Sequence, residues 1–170
     1  MELETPRLRL RPWRPGDQEG LVREADDPRV SQFLRDRFPS PYRREDADSW
    51  IAHVAGQETP QDFAIVVGDQ PIGGIGIEPF SDVFAVGGEL GYWLGVRWWG
   101  KGYATEAVAA IANYGLGALG LLRLQAMVYG PNVASARVLE KTGFTHEGTL
   151  RRAACKRGVV HDVRMYARVR

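Results

Sequence analysis

The stretch Gly95–Val96–Arg97–Trp98–Trp99–Gly100–Lys101–Gly102–Tyr103–Ala104–Thr105–Glu106 decides how the chain is read. It nearly spells the Walker nucleotide loop: Gly, four residues, Gly, Lys, then Ser or Thr. Gly95, Gly100 and Lys101 fit, but the next position is Gly102, which has no hydroxyl to hold Mg²⁺. A Rossmann reading also fails, because the third glycine is missing at Thr105 and no strand-linked acidic partner stands out. What remains is a strand-to-helix turn rich in bare backbone. Glycines at 100 and 102 permit φ > 0 and close approach of a ligand. The helix that starts near Tyr103 offers unpaired N–H groups and a positive dipole end to a phosphate or pyrophosphate. The same glycines also suit a plain tight turn, so on spacing alone both readings stand.

Working outward, Glu89–Leu94 is a strand before the loop, and the helix after it has an apolar face of Ala107, Val108, Ile111 and Ala112. Gly115, Gly117 and Gly120 set its end. Leu122–Tyr129 is a further strand stopped by Gly130–Pro131. A second helix, about Ala134 to Lys141, is capped by Asn132 or Ser135 and ended by Gly143. Two strands joined near Lys156–Arg157–Gly158 complete the C-terminal part. Toward the N-terminus, Phe63–Val67 and Ile72–Ile77 form a hairpin about Gly68–Pro71. Leu8 and Leu10 alternate with Arg7, Arg9 and Arg11, as in a half-buried strand. Asp17 to Gln57 reads as helical, broken at Pro28, Pro39 and Pro41, with Trp50, Ile51 and Val54 as an apolar stripe. Strands followed by a strand–helix–strand–helix–strand unit predict an α/β (α+β) sheet protein.

The 170 residues are expected to form a single domain, 1–170. A net charge of +1 calls for neither nucleic acid nor an anionic membrane. The lone cysteine, Cys155, cannot form an internal disulfide, no apolar run nears the ~20 residues of a membrane span, and MELETPRLRLRPW lacks a signal-peptide core. A cytoplasmic protein is expected. His53, His146 and His161 show no ligand spacing, so no metal is expected.

Taken in order, the pieces resemble the GNAT superfamily of acetyltransferases. The superfamily's pyrophosphate motif (Arg or Gln, two residues, Gly, one residue, Gly or Ala) is matched by Arg97–Trp98–Trp99–Gly100–Lys101–Gly102. Glu89–Leu94 followed by Trp99–Ala107 is similar to the RimJ/RimL-type branch, which acetylates ribosomal-protein N-termini. So are Asn132–Ser135, Leu139–Phe144 with Glu147–Gly148, the ending His161–Arg168 and the opening Thr5–Arg11. The resemblance implies a mixed, mostly antiparallel central sheet of about seven strands, splayed between strands 4 and 5 and flanked by helices. Those two strands would be Glu89–Leu94 and Arg123–Tyr129, with the pantetheine arm of acetyl-CoA between them. The backbone of residues 98 to 103 would receive the pyrophosphate. Cofactor contacts are implied at Leu94, Val96, Arg97, Trp98, Trp99, Gly100, Lys101, Gly102, Tyr103, Ala104, Asn132 and Ser135.

Acetyl transfer to an amine needs deprotonation of the ammonium, stabilisation of the developing oxyanion, and help for the leaving thiolate. No covalent intermediate is needed if donor and amine are held in line. Glu89 is the candidate base, directly or through water, against a salt-bridged strand-end role; Glu147 is a second candidate with a structural alternative. Many GNAT enzymes carry a Tyr donor where this chain has Leu139. The ribosomal-protein branch instead offers a Ser, matched here by Ser135, which could also be a first-turn helix residue. A Glu that some members of that branch carry beyond this Ser falls at Ala154. Asn132 suits the pantetheine amides. Cys155 as an acyl relay has no activating neighbour in sequence. The basic tail, with Arg151, Arg152, Lys156 and Arg157, reads as a solvated sheet edge or as a contact for the CoA 3′-phosphate or an acidic acceptor. The expected reaction is therefore acetylation of a primary amine, with a protein N-terminus, an aminoglycoside, a polyamine or an amino acid as acceptor. A non-catalytic acyl-CoA sensor stays open, as does a homodimer.

Overall fold

A computed structural model describes residues 1–57 and 59–170. Short turns with left-handed residues set its strand connections: Gly68, at φ +59, reverses β3 (Asp62–Val67) into β4 (Gln70–Pro79), and Arg157 and Gly158, at φ +52 and +79, reverse β7 (Thr145–Lys156) into β8 (Val159–Val169). With β1 (Leu3–Glu4), β2 (Arg9–Pro12), β5 (Gly87–Leu94) and β6 (Arg123–Tyr129), they build one sheet in the order β1-β2-β3-β4-β5-β6-β8-β7. Every neighbouring pair is antiparallel except β5–β6. The sheet thus has eight strands rather than about seven. The added pair, Leu3–Glu4, is too short to carry a readable period.

Helices α1 (Gln18–Ala25), α2 (Pro28–Ser31) and α3 (Arg44–Ala55) follow β2, α4 (Tyr103–Leu116) connects β5 to β6, and α5 (Val133–Lys141) connects β6 to β7. Strand alternation divides the apolar residues between two cores. Ile65, Ile75, Ile77 and Leu90 meet Val108, Ile111 and Leu139 in one; Ala64 and Val66 meet Trp13, Leu21, Ala47 and Ile51 in the other. Burying a Leu or Ile side chain of this kind contributes about 1.5–3 kcal/mol. Of the expected stripe on α3, Ile51 and Val54 are buried and Trp50 is partly so. Arg11 does not face solvent as a half-buried strand would have it. It is only 1% exposed, because its guanidinium meets both oxygens of Asp17, at 2.7 and 2.8 Å.

The expected splay is present. β5 and β6 are in register only from Gly87–Arg123 through Gly88–Leu124 to Glu89–Gln125. Beyond Glu89, β5 stays with β4 as far as Leu94, and β6 stays with β8 as far as Tyr129. A gap opens between them in the middle of the sheet.

Candidate active site

The loop between β5 and α4 is a 3₁₀ turn, Val96–Trp98, followed by two left-handed glycines, Gly100 at φ +72 and Gly102 at φ +79, the latter forming the N-cap of α4. The indole N–H of Trp99 donates to the carbonyl of Leu94 at 2.8 Å and closes the turn. The first helical bond runs from Glu106 N–H to the Gly102 carbonyl. Among the described residues no acceptor takes the N–H groups of residues 100 to 105. They form a cluster of backbone donors at the positive end of a fourteen-residue helix, which suits a phosphate.

Two clamps hold this loop. On one side Arg7 donates to the Lys101 carbonyl at 2.9 Å and to Glu106 Oε2 at 2.7 Å, and its guanidinium lies 4.7 Å from the Tyr103 ring centroid. Thr5 Oγ1 and the Arg7 amide donate to Glu106 Oε1, at 2.6 and 2.8 Å. Burial pushes the Glu106 carboxyl up, but the bonds from Thr5 and Arg7 together outweigh it and hold the group below its usual range. On the other side Glu24 of α1, 3% exposed, accepts from the Arg97 guanidinium, from Trp98 Nε1 at 3.0 Å and from Arg23 Nε at 3.1 Å. Arg97 is therefore engaged with α1, and Lys101 Nζ lies 5.2 Å from the Trp98 ring centroid. Of the sequence-read residues, Leu94, Val96 and Ala104 frame the loop without a side-chain polar group.

Across the gap, Tyr92 and Ser135 meet: Tyr92 Oη is 2.8 Å from Ser135 Oγ and donates to the Ser135 carbonyl at 3.3 Å. Burial lifts the Tyr92 phenol to about 12, with the Ser135 hydrogen bond pulling the other way. Asn132 is the N-cap of α5, its side-chain oxygen accepting from the Ser135 amide at 3.2 Å. Sequence reading placed Ser135 but missed Tyr92. The available signal was strand parity, since a residue one step from Trp93 on β5 must face the opposite side of the sheet. Leu139, in place of the expected Tyr, is fully buried in the core.

Glu89 sits where the two strands part, and its carboxylate accepts from Arg35 in the segment between α2 and α3. Beside it across β4–β5 lies Glu78, with Arg37 Nη2 at 3.1 Å. The hydrogen bond to Glu89 holds the Arg35 guanidinium above its ordinary value. Glu89, Tyr92, Asn132 and Ser135 all line one cavity of about 790 Å³ that runs from the gap to the aromatic side chains of α3 and the α2–α3 segment.

This arrangement agrees with the comparison to known families: residues 7–145 match the model described as "Acetyltransferase (GNAT) domain". The chain belongs to the GNAT acetyltransferase family. It is 32% identical over 170 residues to "Uncharacterized N-acetyltransferase p20" of Bacillus licheniformis, covering 97% of this chain and 94% of that protein. The fold is that of a solved GNAT-family acetyltransferase from Bacillus anthracis, with TM-score 0.87 at 23% identity over 99% of this chain and 98% of the other. It is also that of RimL, the ribosomal L7/L12 alpha-N-protein acetyltransferase, solved in complex with coenzyme A, with TM-score 0.85 at 21% identity over 99% of this chain and 98% of the other.

The remaining candidates, Ala154 excepted, do not line this GNAT cavity. Glu147 accepts both guanidinium N–H groups of Arg123, at 3.0 and 2.6 Å, and that bond holds its carboxyl below the usual range. Cys155 is exposed on β7, the edge strand, which also bears Arg151 and Arg152. Ala154 lines the cavity without an acid. His161 stacks on Tyr129, with centroids 5.9 Å apart. No group of three or more His, Cys, Asp or Glu suited to a metal occurs among the described residues, and no helix among them is long and apolar enough to cross a membrane.

Proposed function

We propose that the protein transfers an acetyl group from acetyl-CoA to a primary amine directly, with 1–170 acting as one catalytic domain. The observation that carries this reading is the parting of β5 and β6 beyond Glu89–Gln125, beside the cavity holding Glu89, Tyr92 and Ser135, with the donor cluster at 100–105 in the loop that follows β5. The N–H groups of that loop would bind the pyrophosphate without metal. Gly100 and Gly102 matter there more than Lys101, whose ammonium faces Trp98.

Within the gap the Tyr92 hydroxyl proton is shared between Ser135 Oγ and the Ser135 carbonyl, which leaves the Ser135 hydroxyl free to turn toward a third acceptor. With its phenol at about 12, well above a thiol near about 8.5, the pair stabilises the leaving thiolate by hydrogen bonding and retains its protons. Glu89 takes the ammonium proton, directly or through water, once the amine displaces Arg35 from its carboxylate. Asn132, as cap, fixes the start of α5 and hence Ser135.

The likeness to RimL supports a protein N-terminus as acceptor; the cavity also has room for a small amine such as an aminoglycoside, polyamine or amino acid. The deciding experiment is an acceptor screen that follows CoA release and identifies the product by mass. Thermal unfolding with acetyl-CoA or ATP–Mg²⁺ precedes it; a shift with ATP–Mg²⁺ alone would overturn the reading. Binding of acetyl-CoA with no CoA release to any amine would mark a sensor.

A further inference from the structure

The cavity's floor is bare of side chains at one point, Gly91. β4 and β5 set Gly76 opposite Gly91 and Gly74 opposite Trp93, all on the sheet face turned toward α1 and α3. Around it, the ring of Phe38 is 5.3 Å from that of Trp93 at 67° and 5.1 Å from that of Tyr42, and Trp50 lines the cavity from α3. Trp13 and Tyr42 are buried behind them. At Gly74 and Gly76 an added Cβ would collide with the protein, 2.7 Å from Trp93 Nε1 and 2.5 Å from Asp62 Oδ1. At Gly91 an added Cβ would meet nothing within 4 Å. The room above Gly91 therefore belongs to the cavity, next to Glu89 on the same strand face.

We propose that the acceptor is a primary amine carried on a flat, apolar body, aromatic above all. The body lies over Gly91 between Phe38, Trp50 and Trp93, with the ammonium toward Glu89. This rests on the acyl-transfer reading of the site. The walls argue for such a body. Aromatic rings reward flat apolar surface and attract a nearby cation. The bare backbone at Gly91 admits a planar group at contact distance, and the carboxylates of Glu89 and Glu78, held here by Arg35 and Arg37, mark the end that receives positive charge. A free arylalkylamine and a peptide whose first side chain is aromatic both have this chemistry.

The test measures CoA release by the full chain with tryptamine, phenethylamine, a Phe-initiated peptide, a Ser-initiated peptide, spermidine and kanamycin. We expect at least tenfold higher kcat/KM for one aromatic arm over spermidine, kanamycin and the Ser peptide; which aromatic arm leads names the source. Gly91→Val should raise KM for that acceptor at least tenfold while acetyl-CoA affinity stays within twofold. Trp50→Leu, which changes a partly exposed wall residue, should act in the same direction if the glycine variant folds poorly. A preference for kanamycin, spermidine or the Ser peptide overturns the proposal, as does a folded Gly91→Val with unchanged KM. CoA release with none of the six, despite acetyl-CoA binding, removes the acyl-transfer reading and this proposal with it.

Discussion

Gly95→Ala adds one methyl and tests whether Glu24 positions the loop between β5 and α4. Gly95 has φ −58 and ψ 142, open to any residue, so space rather than backbone conformation requires glycine here. An added Cβ would stand 2.1 Å from Glu24 Oε2 and 3.0 Å from its Cβ and Cδ. Glu24 cannot swing aside freely, since it accepts from Arg97, Trp98 and Arg23 while 3% exposed. The methyl must expel the carboxylate or push the Val96–Trp98 turn away from α1. Overpacking costs about 1–3 kcal/mol, and a lost hydrogen bond to a charged group about 1.5–3 kcal/mol. The Arg97 side chain is 51% exposed, so water screens its share and the total is set at the low end, about 3 kcal/mol. For a chain of this size that lowers Tm by roughly 6–12 °C. Circular dichroism reads the melt and calorimetry the acetyl-CoA affinity, which should weaken severalfold as the 100–105 donors shift. Gly91→Ala, whose methyl meets nothing, should stay within about 2 °C of the parent. A Gly95→Ala protein that melts with the parent and binds acetyl-CoA equally well would refute the clamp.

Glu89→Gln should lower kcat far more than acetyl-CoA affinity; unchanged turnover would dismiss Glu89 as base. Tyr92→Phe keeps the ring but frees Ser135 from its partner at 2.8 Å; we expect a tenfold or greater loss in kcat at constant KM for acetyl-CoA, and a double variant with Ser135→Ala no worse than the poorer single one. Lys101→Ala should keep most acetyl-CoA binding, whereas Gly102→Val should abolish it, since the residue sits at φ +79 and a Cβ there meets Arg7 Nη2 at 3.3 Å; loss of binding with Lys101→Ala alone would reverse the assignment. Glu106 has a depressed folded-state pKa, so its contribution is present above the ordinary carboxylate value and lost as pH falls through the folded one. Denaturant midpoints of parent and Glu106→Gln should therefore differ at pH 7 and converge in acid; a gap constant with pH would contradict the Thr5–Arg7–Glu106 clamp.

What the sequence disclosed was local. Gly100 and Gly102 announce positive φ, Gly117 ends α4, and Asn132 caps α5, each within a few residues of its effect. The family string around 89–107 then placed the splay. Long-range pairings were illegible: Glu24 lies 73 residues from Arg97, and Tyr92 lies 43 from Ser135. Arg11 was misplaced for the same reason, because strand alternation sends it outward and only its pairing with Asp17 makes burial tolerable. The region from α1 to α3 reads in sequence only as a broken helix because prolines interrupt its pattern, yet it supplies Arg35, Phe38 and Trp50 to the site.

The parting of β5 and β6 has a colloidal consequence. Sheet proteins shield or charge their outer edges because unpaired strands recruit other chains. Here two such edges, beyond Glu89 and beyond Gln125, lie in the middle of the sheet and face each other across the gap. An extended ligand that fills the gap also covers them. Acetyl-CoA bound as proposed would thus shield these edges, and the protein should associate most readily when starved of it.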